Sequence, residues 1–148
     1  MDRIRPTLNQ LNIVSSNPEA SIAFYRRLGL DIPDQKVWRT ATGVHHVSAE
    51  DAGIDFDLDS TAFAQLWNGG WRGRKDLAGR VVLGLRVASR EEVDRRYGEM
   101  TAAGYRGLQA PWDAFWGARY AVVEDPDGIA VGLMSPISAE HRSPPPEV

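Results

Sequence analysis

The order of elements in this chain repeats, and that repeat limits the folds open to it. Residues 8–14, LNQLNIV, read as a strand that Asn17-Pro18 breaks. Pro18 suits the first turn of a helix with Asn17 as its cap. EASIAFYRRLGL then carries Ile22, Tyr25 and Leu28 at helical spacing, and Gly29 is a natural stop. KVWRTA, GVHHVSA and IDFDLDS follow as three short strands between turn residues. From Val81 the order starts again. RVVLGLRVA reads as a strand, and Ser89 and Glu92 form a capping box. Val93, Tyr97 and Met100 make a helical stripe ending at Gly104, and YRGLQAP, ARYAVVE and IAVGLMS are three more strands. Each half is strand, helix, three strands, with a tyrosine late in each helix. One βαβββ module is too small to bury its own sheet, so two of them curling round a shared concavity, with helices outside, are expected: an α+β fold.

The expected boundaries are a first module at 8–60, a linker at 61–79, a second module at 80–136 and a disordered tail at 137–148. STAFAQLW at the start of the linker is either helical or irregular. NGGWRGRKDLAG looks like connecting chain, and the proline-rich SAEHRSPPPEV looks unstructured.

Composition narrows the chemistry. The chain has no cysteine, which excludes disulfides, thiolate metal sites and a cysteine nucleophile. Its net charge is −3 with scattered basic residues, which gives no electrostatic reason to expect nucleic acid or a membrane surface as partner. MDRIRPTLNQ lacks the apolar core of a signal peptide, so the expected address is the cytoplasm. None of the GxSxG, HExxH, GxxxxGK[ST] or GxGxxG patterns occurs.

SIAFYRRLGL (21–30) and VEDPDGIAVGL (123–133) together resemble the vicinal oxygen chelate superfamily, which includes glyoxalase I, bleomycin-resistance proteins, fosfomycin-resistance enzymes and extradiol dioxygenases. PWDAFWGARYAVVEDPDG (111–128) is also similar to bacterial glyoxalase-like proteins. The resemblance covers about residues 8 to 136 and implies the paired βαβββ fold and a homodimer. It also implies four metal-ligand positions. These fall at Gln10, at Asp57 (with Asp55 or Asp59 one pleat away), at Val82 and at Gly132, the residue four after the turn glycine Gly128. Valine and glycine cannot ligate, and zinc or nickel needs several strong donors in fixed geometry. An extradiol dioxygenase would need two histidines and a glutamate at these positions, which lack them. A weaker divalent site on Gln10, His46 and Asp57 is the alternative. His45 and His46 are adjacent in a strand, so one of them should face the cavity.

The pleat gives an independent reading of the same positions. If Leu11 and Ile13 face the helices, Gln10 and Asn12 face the cavity. If Ile54, Phe56 and Leu58 face the helices, Asp55, Asp57 and Asp59 face the cavity. The three acids could instead be solvated at a sheet edge. Arg86, of inward parity with Val82 and Gly84, is a natural partner for Asp57. Five tryptophans are many for 148 residues. Trp38, Trp112 and Trp116, with Phe115, are candidates to stack on a flat ligand, ahead of Trp67 and Trp71; the same rings could pack the cavity or a dimer interface.

The expected function is therefore binding of a small, partly aromatic molecule in a metal-poor cavity, for sequestration or resistance. Its expected contacts are Gln10, Asn12, Trp38, Asp55, Asp57, Arg86, Trp112, Phe115 and Trp116. Read as an enzyme, the chain would be a metal-dependent lyase or dioxygenase type, or a metal-free enzyme with Asp55 or Asp57 as general base.

Overall fold

The computed structural model describes residues 10–51, 53–68 and 81–146. The chain divides into two compact units, Met1–Arg74 and Lys75–Val148. Expected features on residues 1–9, 52, 69–80 and 147–148, Trp71 among them, lie outside the described residues.

In the first unit, β1 (Gln10–Ser15) leads into α1 (Pro18–Leu28). β2 (Val37–Thr40), β3 (Gly43–Asp51) and β4 (Ile54–Ser60) follow, and α2 (Thr61–Trp67) closes the run. The sheet order is β1-β4-β3-β2, with β1 parallel to β4 and the other pairs antiparallel. α1 starts where expected: Asn17 Oδ1 accepts from the backbone N–H of Ala20 at 3.2 Å, with Pro18 in the first turn. It stops at Gly29, whose φ of 105° is in the left-handed region open to glycine. Its buried stripe of Ile22, Phe24, Tyr25 and Leu28 packs on one face of the sheet, where Tyr25 meets the Phe56 ring edge-on at 5.0 Å.

The pleat then sorts the sheet as the alternation predicts. Ile13, Val47, Ala49, Phe56 and Leu58 are buried in the core. Gln10, Asn12, Asp57 and Asp59 have the opposite parity. Ile54 departs from the expectation: at the start of β4 it is 42% exposed.

The second unit repeats the plan. β5 (Val82–Arg86), α3 (Arg90–Ala102), β6 (Gly107–Asp113), β7 (Arg119–Glu124) and β8 (Ala130–Met134) form a sheet of order β5-β8-β7-β6. Ser89 caps α3 by accepting from the N–H of Glu92, as expected. The Glu92 carboxyl is drawn down to about 2 by its hydrogen bond from Arg95 and by the nearby Arg96 charge. Arg119, whose pKa is raised chiefly by its hydrogen bond to Asp94, ties β7 to α3 and also reaches Asp113.

Residues 61–67, assigned to the linker and read as either helical or irregular, form helix α2 on the first sheet. Ser60 caps it, and its apolar Phe63, Leu66 and Trp67 recur at helical spacing. Residues 137–146, expected to be disordered, run along the β6–β7 loop. Ser138 N–H donates to Gly117 and Ser143 N–H to Phe115, both at 2.9 Å, and Trp116 bridges Arg142. A tail rich in proline needs few backbone partners of its own, and here the loop supplies them.

The DPDG motif is structural. Asp125 is 3% exposed, and its Oδ1 accepts from the N–H groups of Asp127 at 2.8 Å and Ile129 at 2.9 Å. The side chain thus builds the turn itself. No helix among the described residues is long and apolar enough to cross a membrane.

Because Ser60 both caps α2 and bonds His45, Ser60→Ala is expected to lower stability by about 1 kcal/mol. Urea denaturation checks this, and an unchanged midpoint would detach α2 from its cap.

Candidate functional site

The polar face of the first sheet is organised around Asp59. This carboxylate is 1% exposed, and three side chains hydrogen-bond to it. Asn12 Nδ2 reaches Oδ2 at 2.9 Å from β1, and Trp67 Nε1 reaches the same oxygen at 2.9 Å from α2. His46 Nδ1, on β3, bonds Oδ1. Asp57, 6% exposed, accepts from Gln10 Nε2. In the parallel β1–β4 pair Gln10 lies opposite Asp55 and Asn12 opposite Asp57. Each amide therefore reaches the acid two residues further along β4. Asp59, Asp57 and their four partners, with Phe63, line a cavity of about 260 Å³.

Two acceptors on the cavity-lining residues are left over. Asn12 Oδ1 and Asp57 Oδ1 are buried and have no hydrogen-bond partner among the described residues. Leaving such an oxygen unmatched costs about 1–3 kcal/mol, more when it is charged.

Asn12, Gln10 and Asp57 come together as the pleat predicts. Asp55 does not: it is exposed at the open end of β4, so the row of three acids is two buried and one solvated. Asp57's partner within its own unit is Gln10; Arg86, expected to pair with it, is an exposed residue of the second unit. Trp38 is 49% exposed and packs on His45 and Phe63, with ring centroids 5.6 Å apart in both cases.

As expected of adjacent strand residues, one of the two histidines faces the cavity: His46 lines it and His45 does not. The β2–β3 register slips between Trp38 and Arg39, which leaves His45 without a cross-strand partner. With that bulge both imidazoles reach the β4–α2 junction. His46 takes Asp59, and His45 bonds Ser60 Oγ at 2.9 Å and Thr42 Oγ1 at 2.7 Å. In the sequence Asp59 stood behind Asp57 and Trp67 behind the other tryptophans as site residues, and Phe63 was not considered. Their signal was Ser60 as a helix cap ahead of Phe63, Leu66 and Trp67.

The residues do not fit the family's metal. Among the described residues no group of three or more His, Cys, Asp or Glu side chains could hold an ion. In the alternative set, the facing atoms of Gln10 and Asp57 are spent on each other, and His46 Nδ1 is spent on Asp59. In the second unit Val82 is 50% exposed. Gly132 is covered: a Cβ there would lie 2.6 Å from Tyr120 Oη and 3.0 Å from its ring. The Tyr120 ring thus occupies the space beside the position at which the resemblance implies a metal-ligating acid. It belongs to an edge-to-face series in which Trp116 contacts Trp112 at 5.6 Å, Phe115 at 5.1 Å and Tyr120 at 5.4 Å. Trp112, Phe115 and Trp116 therefore stack first on one another.

Gly132→Ala is expected to cost about 1–3 kcal/mol through overpacking against Tyr120. In a double-mutant cycle Tyr120→Ala should relieve most of that cost. Additive losses would mean that the ring does not occupy the space beside Gly132.

A family model described as "Glyoxalase/Bleomycin resistance protein/Dioxygenase superfamily" matches residues 7–133. No curated protein sequence matches significantly. Among solved structures, a glyoxalase/bleomycin resistance protein/dioxygenase from Nocardioides is 22% identical with a TM-score of 0.68, over 99% of this chain and 92% of that one. A glyoxalase/bleomycin resistance protein/dioxygenase family enzyme from Burkholderia phytofirmans is 18% identical with a TM-score of 0.73, over 88% and 98%. Lactoylglutathione lyase from Agrobacterium tumefaciens is 16% identical with a TM-score of 0.62, over 90% and 96%. Identities this low speak for the fold alone. The match of the family model over most of the chain, on the paired βαβββ plan, shows that the protein belongs to the glyoxalase/bleomycin resistance protein/dioxygenase superfamily.

Proposed function

We propose that the first module binds a small, flat molecule that carries hydrogen-bond donors, a cation above all. The observation that carries this reading is the pair of buried acceptors unmatched among the described residues, Asn12 Oδ1 and Asp57 Oδ1, on two side chains that line one cavity. A donor-bearing ligand would recover what their burial costs, and a positive one would also offset two buried carboxylates. Phe63 and Trp67 supply aromatic surface beside those oxygens. At about 260 Å³ the cavity is below the usual range for drug-sized ligands, so a molecule of one or two rings suits it. Sequestering such a molecule needs no group beyond these. A homodimer and a cytoplasmic location, which the family resemblance and the sequence suggest, belong to the same proposal; light scattering on the purified chain tests the first.

Benzamidine is a suitable probe, being one ring with a planar, cationic donor group. Calorimetric titration is expected to show saturable one-to-one binding. Asp57→Asn should weaken it by about tenfold to a hundredfold, the worth of a lost charge-assisted hydrogen bond. In that variant the new amide would keep its carbonyl on the Gln10 N–H, which turns its NH2 donors toward the ligand's own. Equal binding by both proteins would place the ligand elsewhere and end this reading.

A further inference from the structure

Binding does not require what His46 does. Its Nδ1 bonds Asp59 Oδ1, while Asp59 Oδ2 is already taken by two N–H donors, Asn12 Nδ2 and Trp67 Nε1. The indole nitrogen can only donate. Asp59 is thus an acceptor on Oδ2, and an ionised Asp59 places the imidazole proton on Nδ1. The lone pair then sits on Nε2, which has no partner among the described residues, on a ring that lines the cavity and whose side chain is 31% exposed. A buried carboxylate that orients an imidazole, with the second nitrogen free, is the arrangement of a general base held by a third group. Asp59 is a positioning residue here.

We propose that His46 is the base of a metal-free proton-transfer site whose substrates are flat, cyclic iminium-type cations with an acidic C–H next to the C=N carbon. This rests on the binding reading above. Asn12 and Asp57, which line the cavity, turn their unmatched oxygens to the cation's N–H. His46 Nε2 takes the proton from carbon. The C–H electron pair becomes a C=C bond, and the C=N π pair moves onto nitrogen, which becomes neutral. The product is the enamine and an imidazolium, and return of a proton to carbon completes an iminium–enamine exchange. No oxidant, reductant or co-reactant is consumed. The substrate's own cation accepts the electrons, so the site needs no separate oxyanion donors. That suits a cavity whose unmatched groups are acceptors.

Asp59→Asn gives a test specific to this geometry. With Asn12 and Trp67 still donating to one oxygen, the amide introduced at this position must keep its carbonyl there and turn its NH2 to His46 Nδ1. The imidazole proton is then forced onto Nε2, and the base is lost while the packing is kept. The two readouts are the His46 tautomer by 15N NMR and the methyl hydrogen–deuterium exchange of 1-methyl-3,4-dihydroisoquinoline in D2O, followed by 1H NMR. Wild-type protein should show the Nδ1–H form and catalysed exchange. Asp59→Asn should show Nε2–H, and both Asp59→Asn and His46→Gln should lose about a hundredfold or more in exchange rate. Benzamidine should inhibit the exchange. An Nε2–H tautomer in the wild type overturns the proposal, as does an exchange rate equal to that of His46→Gln. If either occurs while benzamidine still binds in an Asp57-dependent way, the binding reading survives and the base does not. If neither benzamidine nor the imine binds, the binding reading has failed first.

Discussion

A carboxylate that is almost wholly buried must be met by donors, and Asp59 draws them from three different elements: Asn12 on β1, His46 on β3 and Trp67 on α2. Hydrogen bonds to a charged group are each worth about 1.5–3 kcal/mol, and removing one partner of a buried charge costs more than the pair contributes. The polar face of this sheet is therefore fixed in register by chemistry as well as by backbone pairing. α2 is only seven residues long and too short to be stable alone, and it is held at one end by its Ser60 cap and at the other by the Trp67 indole on Asp59. Its Phe63 and Trp67 become cavity wall as a consequence.

The two modules share one topology and carry different side chains on the corresponding face. The first module's face is polar and leaves acceptors unmatched. The second module's face has Tyr120 over Gly132, with Trp112, Phe115 and Trp116 stacked beyond it. Where the resemblance implies an acid for a metal, this chain has a glycine with a phenol ring against it. The family's shape is thus kept with a different set of side chains on the two faces, and the proposed organic cation is read from the first of them.

Much of this was legible in the sequence because local signals agreed with the global fold. Asn17-Pro18 and Gly29 bracket α1 as their backbone preferences require, and alternation correctly set Gln10, Asn12, Asp57 and Asp59 opposite Ile13, Phe56 and Leu58. What was hidden depends on tertiary context. The bulge that lets both His45 and His46 reach the β4–α2 junction comes from a register slip with β2, which adjacency in the sequence does not reveal. The primacy of Asp59 over Asp57 follows from α2 bringing Trp67 back to β4. A seven-residue segment next to a glycine-rich stretch gave only a weak helical signal. The proline-rich end was misread because its backbone partners, Phe115 and Gly117, lie in a distant loop.

The central claim is that the acceptors on β1 and β4 await an organic donor. A high-resolution crystal structure of the protein with benzamidine tests it most directly. The account predicts the amidinium N–H groups within hydrogen-bond reach of both Asn12 Oδ1 and Asp57 Oδ1, with the ring against Phe63 or Trp67. A metal ion bound between those oxygens, or benzamidine seated only on the aromatic face of the second module, would contradict it.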